Sequence, residues 1–170
     1  MAKEGASVIT ISAADSASHQ LPAAGITVNP HGRYFSVAKF ASQDQYLALS
    51  GPPGEPLGMQ VERVANAPAD ETGWRKLVEK RFAEQRPIEM GSAAELEIAD
   101  GKQSSFTCTT GESLARAHHL LISVPVPGSD DAILVDFRYG AGQSETPTPK
   151  AVVNDGEYAE LLRSLSIRFE

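Results

Sequence analysis

Residues 94–110, AELEIADGKQSSFTCTT, decide the fold class, because they contain two β-patterned segments around one turn. In the first segment Leu96 and Ile98 alternate with glutamates, which is the pattern of a strand with one face in water. The dipeptide DG at 100–101 is typical of a tight hairpin turn, because a type I′ turn needs positive φ at both central positions. The return segment 102–110 is again rich in β-forming residues. The stretch therefore predicts an antiparallel hairpin.

Two helices interrupt a chain that is otherwise composed of strands and turns. The first is predicted to begin at Asp70 or Thr72 and to end before Pro87, since a proline disfavours the helical conformation of the preceding residue. Its apolar residues recur at helical spacing: Trp74, Leu77, Val78 and Phe82. The second helix is predicted to begin at Asn154, with Glu157 completing a capping box.

The remaining segments complete a sheet-forming pattern. Further strands are expected at 7–12, 25–29, 33–40, 45–50, 57–64, 115–126 and 132–139 and at the end of the chain around Ile167 and Phe169. We expect one domain over residues 1–170, with residues 1–20 loosely held and the small, polar segment 13–24 loose as well. Hairpin-linked strands with two one-faced helices predict an α+β fold, a mainly antiparallel sheet with helices lying on it.

Charge and composition narrow the range of partners. The chain has 170 residues and a formal net charge of −7, which argues against nucleic acid or an anionic membrane as the main partner. Residues 1–85 carry a net charge of −1 and residues 86–170 carry −6. This asymmetry fits an acidic face that meets a basic partner protein, or a solvated surface that keeps the protein soluble. Both interpretations stay open.

Targeting signals and membrane spans are not evident in the sequence. The apolar runs, such as 132–135, are far shorter than the roughly 18 residues that cross a bilayer. The apolar run 8–11 is too short for a signal peptide. The sequence predicts a cytoplasmic protein, with export after removal of a leader as the alternative.

The sequence contains few residues that could take part in catalysis or binding, and no catalytic set, cofactor motif or metal site is predicted. His118 and His119 are adjacent on a predicted strand, so their side chains point to opposite faces and cannot bind one metal ion together. We expect one of them to be exposed and the other partly buried. Cys108, the single cysteine, is expected to be a small buried residue, and it excludes an internal disulfide. Pairing with His119 would be its route to reactivity.

A pocket between the sheet and a helix is the alternative source of chemistry. It would be lined by polar residues of strands 102–110, 115–124 and 132–139, with Cys108, His119 and Asp136 as first candidates. Asp136 shares a strand face with Arg138, and we expect both on the solvated side of the sheet, because burying such a pair is costly.

The order of these elements is similar to that of a known superfamily. A helix at 71–86 leads through the charged strand 94–98 to the hairpin and two long strands. The chain closes with YAELLRSLSIRF at 158–169, a helix running into a short strand. This arrangement resembles the PsbP-like superfamily, which includes photosystem II extrinsic proteins, a Ran-binding nuclear-transport factor and bacterial DcrB-type relatives. The resemblance implies an α/β/α sandwich around a central antiparallel sheet, members that mostly bind proteins, and no catalytic residue to transfer.

The functional prediction follows from these observations together. We expect a non-enzymatic protein-binding domain of bacterial type, adaptor-like or chaperone-like, that holds a partner through the sheet or an edge strand. The alternative is a small-molecule-binding protein or enzyme that uses the pocket described above.

Overall fold

The computed structural model describes residues 7–170, which form two antiparallel sheets, four α-helices and two single-turn 3-10 helices. In chain order the elements are β1 (Ile9–Ile11), α1 (Ala13–Ser18), β2 (Ala24–Val28), β3 (Ser36–Lys39), β4 (Gln45–Ser50), β5 (Gly58–Val64), α2 (Glu71–Arg81), β6 (Ile88–Ile98), β7 (Gly101–Thr110), β8 (Ala117–Pro125), β9 (Ala132–Gly140), α3 (Pro149–Asn154), α4 (Ala159–Arg163) and β10 (Ser166–Phe169). The large sheet has the order β3-β4-β5-β9-β8-β7-β6, and the small sheet has the order β1-β2-β10.

Helix α2 covers one face of the large sheet. Its first turn is capped by Asp70, whose carboxylate accepts a hydrogen bond from the amide of Gly73 at 2.8 Å. The apolar stripe of the helix is buried against side chains of β7, β8 and β9, and together they form the smaller core. Its members are Trp74, Val78, Phe82, Phe106, Cys108, Leu121, Ala132 and Leu134. The first predicted helix and its Asp70 cap are therefore confirmed, but its predicted end is wrong, because the α-helix ends at Arg81 and a 3-10 turn at Ala83–Gln85 leads to Pro87.

The opposite face of the large sheet carries the larger core. Fully buried side chains such as Leu120, Ile122 and Phe137 pack there against the small sheet and the short helices α3 and α4. Ile26 and Ile167 from the small sheet belong to the same core. The mixed α+β class and the antiparallel pairing are thus as expected. The helix-flanked sandwich holds only in part, because a second sheet contributes to the layer opposite α2.

The 94–110 hairpin is confirmed, with its turn one residue earlier than predicted. Ile98 pairs with Gly101, so the turn positions are Ala99 and Asp100, with φ of 57° and 66°. Strand β6 begins at Ile88, before the predicted start at residue 94. Its first half is not evident in the sequence, because a register shift between Met90 and Ala93 interrupts the alternation of side chains.

The expectation that 13–24 is loose is wrong, because this segment contains α1. The Ser12 hydroxyl caps this helix by accepting from the amide of Asp15 at 3.1 Å. The buried Ser16 hydroxyl donates to the carbonyl of Ala24 at 2.8 Å and ties the helix to β2. Of the segment 1–20 that was expected to be loose, residues 1–6 lie outside the described part of the chain.

The single closing helix is also corrected, because two short helices take its place. Thr148 caps α3 by accepting from the amide of Ala151 at 3.2 Å, and Pro149 in the first turn suits the helical φ. Asn154 therefore ends a helix and does not begin one. The predicted terminal strand is confirmed as β10, which pairs with β2.

Candidate functional site

The face of the large sheet that carries α2 has two concave regions, one at each end of the helix. We call the region at the amino end, between α2 and strands β6, β7 and β8, the groove. We call the region at the carboxyl end, between α2 and strands β4, β5, β8 and β9, the cavity. The two regions differ in the charge of their lining and in how their polar groups are bonded.

The groove encloses about 430 Å³ and has an apolar floor with an acidic rim. Trp74 and Phe106 form part of the floor. The charged residues of its lining are Asp70, Glu71 and Glu95, all of them acidic. Two of these carboxylates already have bonds, because Asp70 caps α2 and Glu71 accepts from Arg75 at 2.8 Å.

Strand β6 borders the groove and is an edge of the large sheet. Along residues 7–170 no other strand pairs with its outer side, so it offers backbone donors and acceptors to an additional strand. Its exposed Glu95 and Glu97 place negative charge along this edge. At the register shift the guanidinium of Arg75 donates to the carbonyl of Gly91 at 3.0 Å, which ties α2 to the edge strand.

A hydrogen-bonded chain of side chains lies at the cavity. The Nδ1 atom of His119 is 2.9 Å from Oδ1 of Asp136, and its Nε2 atom is 2.9 Å from the Thr110 hydroxyl. With Nδ1 protonated, the ring donates to the carboxylate and accepts from the hydroxyl, so both ring nitrogens are bonded. The Phe82 ring lies over the imidazole at 4.4 Å between centroids.

Arg81 continues this chain from the last turn of α2. Its Nε donates to Oδ2 of Asp136 at 3.3 Å, and its other nitrogens bond Glu62 and, at 3.1 Å, Oε1 of Gln60. One guanidinium thereby joins the helix to neighbouring strands β5 and β9. Every buried side-chain nitrogen and oxygen in the part of the chain that the structure describes has a hydrogen-bond partner.

The structure brings the three predicted pocket residues onto one face of the sheet. Cys108 is the register partner of His119, and His119 bonds Asp136. Of the three, His119 and Asp136 line the cavity. Cys108 lies buried in the smaller core, where burial and the nearby charge of Asp136 raise the pKa of its thiol to about 12. The thiol is therefore protonated at neutral pH.

Two exposure predictions are wrong, for a common reason. Asp136 is 7 % exposed, and His118 and His119 are 3 % and 4 % exposed. Alternation along a strand shows which residues share a face, but it does not show that α2 covers one face and the larger core the other. Arg138, in contrast, is exposed as expected.

His118 points to the opposite face from His119, as its position on the strand predicts. Its Nδ1 is 2.7 Å from the Thr109 hydroxyl, which in turn lies 2.6 Å from the hydroxyl of Thr146. Burial lowers the pKa of His118, and the charges of Arg116 and His119 lower it further. Among residues 7–170 no group of three or more metal-binding side chains could hold an ion.

Sequence reasoning missed Arg81, Thr110, Gln60 and Glu62. A signal existed for Arg81, which lies seven residues after Trp74 and three after Val78, on the buried side of the helix. A charged residue on an apolar helical stripe needs a partner on the element beneath it. For the other three, only the strand order brings them near Arg81.

Comparisons with known proteins give a fold and no family. No family model matches the chain, and no curated protein matches it by sequence. The solution structure of cyanobacterial PsbP (CyanoP) from Synechocystis sp. PCC 6803 is similar, with a TM-score of 0.50 over 97 % of this chain and 94 % of that chain. The fold of the chain is PsbP-like. The two sequences are 17 % identical, so the likeness concerns the fold alone.

None of the helices formed by residues 7–170 is both long and apolar enough to span a bilayer.

Proposed function

We propose that this chain is a non-enzymatic, adaptor-like or chaperone-like domain that holds an extended, basic segment of another protein along β6 and the groove. The observation that carries the proposal is a groove with an entirely acidic charged lining, beside a sheet edge with which no further strand of residues 7–170 pairs. A single cytoplasmic domain of bacterial type, as the sequence predicts, is part of the same proposal.

The geometry suits a segment that adds a strand to the sheet. An extended chain beside β6 gains main-chain hydrogen bonds, and its alternate side chains reach the groove. Lysine or arginine side chains would meet Glu95 and Glu97, and apolar side chains would lie on Trp74 and Phe106. The net charge of −6 in the second half of the chain favours the same class of partner at longer range.

The state of the reactive groups supports a non-enzymatic role. Thr110, His119 and Asp136 are 3 %, 4 % and 7 % exposed, so the hydroxyl, imidazole and carboxylate of this hydrogen-bonded chain are largely shielded from a substrate. The thiol of Cys108 is buried and protonated at neutral pH. These groups stabilise the contact between α2 and the sheet.

A charge-reversal pair tests the proposal. Tagged wild-type protein, Glu95→Lys and the control Glu79→Lys are used to capture partners from the native host at low salt. Glu79 is an exposed residue of α2 that does not line the groove. We expect one stoichiometric partner that is retained by wild type and the Glu79 variant, lost with the Glu95 variant and released by salt. Equal capture by both variants would contradict the proposal.

The tryptophan of the groove supplies a second readout. Trp74 is the single tryptophan of the chain, so its emission reports on the groove without interference. A peptide copied from the partner's contact segment should change this emission in a saturable way. Scrambling the order of apolar residues in that peptide should weaken binding, whereas an interaction driven by charge alone would be unaffected.

A small-molecule-binding role is the second candidate. The observation that favours it is the convergence of His119, Asp136 and their partners on one concave region.

A further inference from the structure

The cavity at the carboxyl end of α2 owes its space to small side chains. It encloses about 420 Å³, within the range of small-ligand sites. Ala48, Gly58, Ala115 and Ala117 line it, and Phe82 adds an aromatic wall. Gly58 is restricted to glycine, because a Cβ atom there would lie 2.8 Å from the carbonyl oxygen of Leu49.

Among the charged groups of the cavity, a donor is left without a partner in residues 7–170. Both oxygens of the Asp136 carboxylate accept bonds from protein donors, and Oε1 of Gln60 accepts from Arg81. The exposed guanidinium of Arg138, in contrast, has no ion-pair or hydrogen-bond partner among residues 7–170, and neither does the exposed hydroxyl of Ser50. Both line the cavity. The unused charged donor therefore suits an anionic acceptor.

The Arg138 guanidinium lies along the sheet. Arg138 is the register partner of both Gly58 and His119, so the three residues share one face. Its Nε lies 3.5 Å from the point where a Cβ of Gly58 would be. The Nε atom therefore lies over the neighbouring strand β5, at ordinary contact distance from position 58 and beside the cavity wall.

We propose that the cavity binds a small organic carboxylate, with Arg138 as its anchor and Phe82 and the alanines against its apolar part. A guanidinium presents paired donors that match the two oxygens of a carboxylate. The Ser50 hydroxyl is a further donor on the same lining. The proposal is independent of the protein-binding function, because the groove lies at the other end of α2 and shares no lining residue with the cavity.

Benzoate and its neutral counterpart benzamide test the site. Each is titrated into the ¹⁵N-labelled full chain, and amide chemical shifts are followed by NMR. Benzoate should cause saturable shifts around Ser50, Phe82 and Arg138, and benzamide should bind at least about tenfold more weakly.

Variants make the assignment specific. Arg138→Gln should weaken benzoate binding by about tenfold or more. The affinity of Arg138→Lys for benzoate should lie between those of the wild type and Arg138→Gln, because lysine keeps the charge but not the paired donors. Lys76→Gln removes the same charge from an exposed position of α2 outside the cavity and should leave binding unchanged. Equal binding of benzoate and benzamide, binding that survives in Arg138→Gln, or no saturable shifts with benzoate would each overturn the proposal.

Discussion

Substituting Asp136 by asparagine tests the network that joins α2 to the sheet. The carboxylate accepts from Nδ1 of His119 at 2.9 Å and from Nε of Arg81 at 3.3 Å, and it is 7 % exposed. An asparagine keeps one acceptor oxygen and replaces the other with an NH₂ donor. One of the two protein donors therefore loses its acceptor, and the negative charge beside Arg81 is lost.

The expected cost follows from these bonds. A hydrogen bond to a charged group contributes about 1.5–3 kcal/mol, and Arg81 keeps its bonds to Glu62 and Gln60. We therefore expect Asp136→Asn to lower the free energy of unfolding by about 2–3 kcal/mol. For a chain of this length, Tm should fall by about 4–12 °C.

Urea unfolding monitored by Trp74 fluorescence measures this effect, since Trp74 belongs to the smaller core. The control is Asp130→Asn, which removes an exposed carboxylate outside the network and should change stability by less than about 0.5 kcal/mol. The slope of the free energy of unfolding against urea concentration should be the same in the wild type, Asp136→Asn and Asp130→Asn. If Asp136→Asn is no less stable than Asp130→Asn, the network does not stabilise the contact between helix and sheet.

Three further predictions concern other parts of the molecule. At pH 8 the Cys108 thiol should react with a disulfide reagent roughly a thousandfold more slowly in the folded protein than in guanidinium chloride. The reason is that folding raises the pKa of the thiol from 9.0 to about 12, which leaves less thiolate. Fast labelling of the folded protein would contradict this prediction. The pKa of His118 is lowered below 6.5, so the unfolded chain takes up a proton first as pH falls. The free energy of unfolding should decrease from about pH 6.5 downward, and His118→Gln should reduce this slope in urea titrations at several pH values; an unchanged slope would exclude His118 as its source. Leu162 is a fully buried side chain of the larger core. Leu162→Ala should lower the free energy of unfolding by about 2–5 kcal/mol in the same urea assay, and a loss below about 1 kcal/mol would contradict the burial of Leu162 in this core.

Local patterns predicted much of the fold, because they are set by neighbouring residues. The helix of Trp74 and Val78 and the hairpin at 94–110 follow from periodicity, capping and turn chemistry. The first half of β6 was missed, because its register shift breaks the period of two. The helix at Ala13–Ser18 was missed, because its sequence AADSAS has no apolar stripe and its stability comes from contacts such as the bond from Ser16 to Ala24.

The candidate site was predictable only in part. Strand patterning placed Cys108, His119 and Asp136 in candidate pocket strands, and the register brings them together. Their burial was not predictable, because it depends on α2 lying across strands that are distant in sequence. The same dependence hides the acidic lining of the groove, which combines residues of α2 and β6.

Site-specific photo-crosslinking in the native host tests whether a basic segment of a partner protein lies along β6 and the groove. A benzophenone amino acid replaces Glu95 in one variant and Glu79, outside the groove, in the other. We expect one crosslinked partner from position 95 and none from position 79, with the attached peptide mapping to an extended, positively charged segment. Equal crosslinking from both positions, or attachment to a neutral or acidic segment, would contradict it.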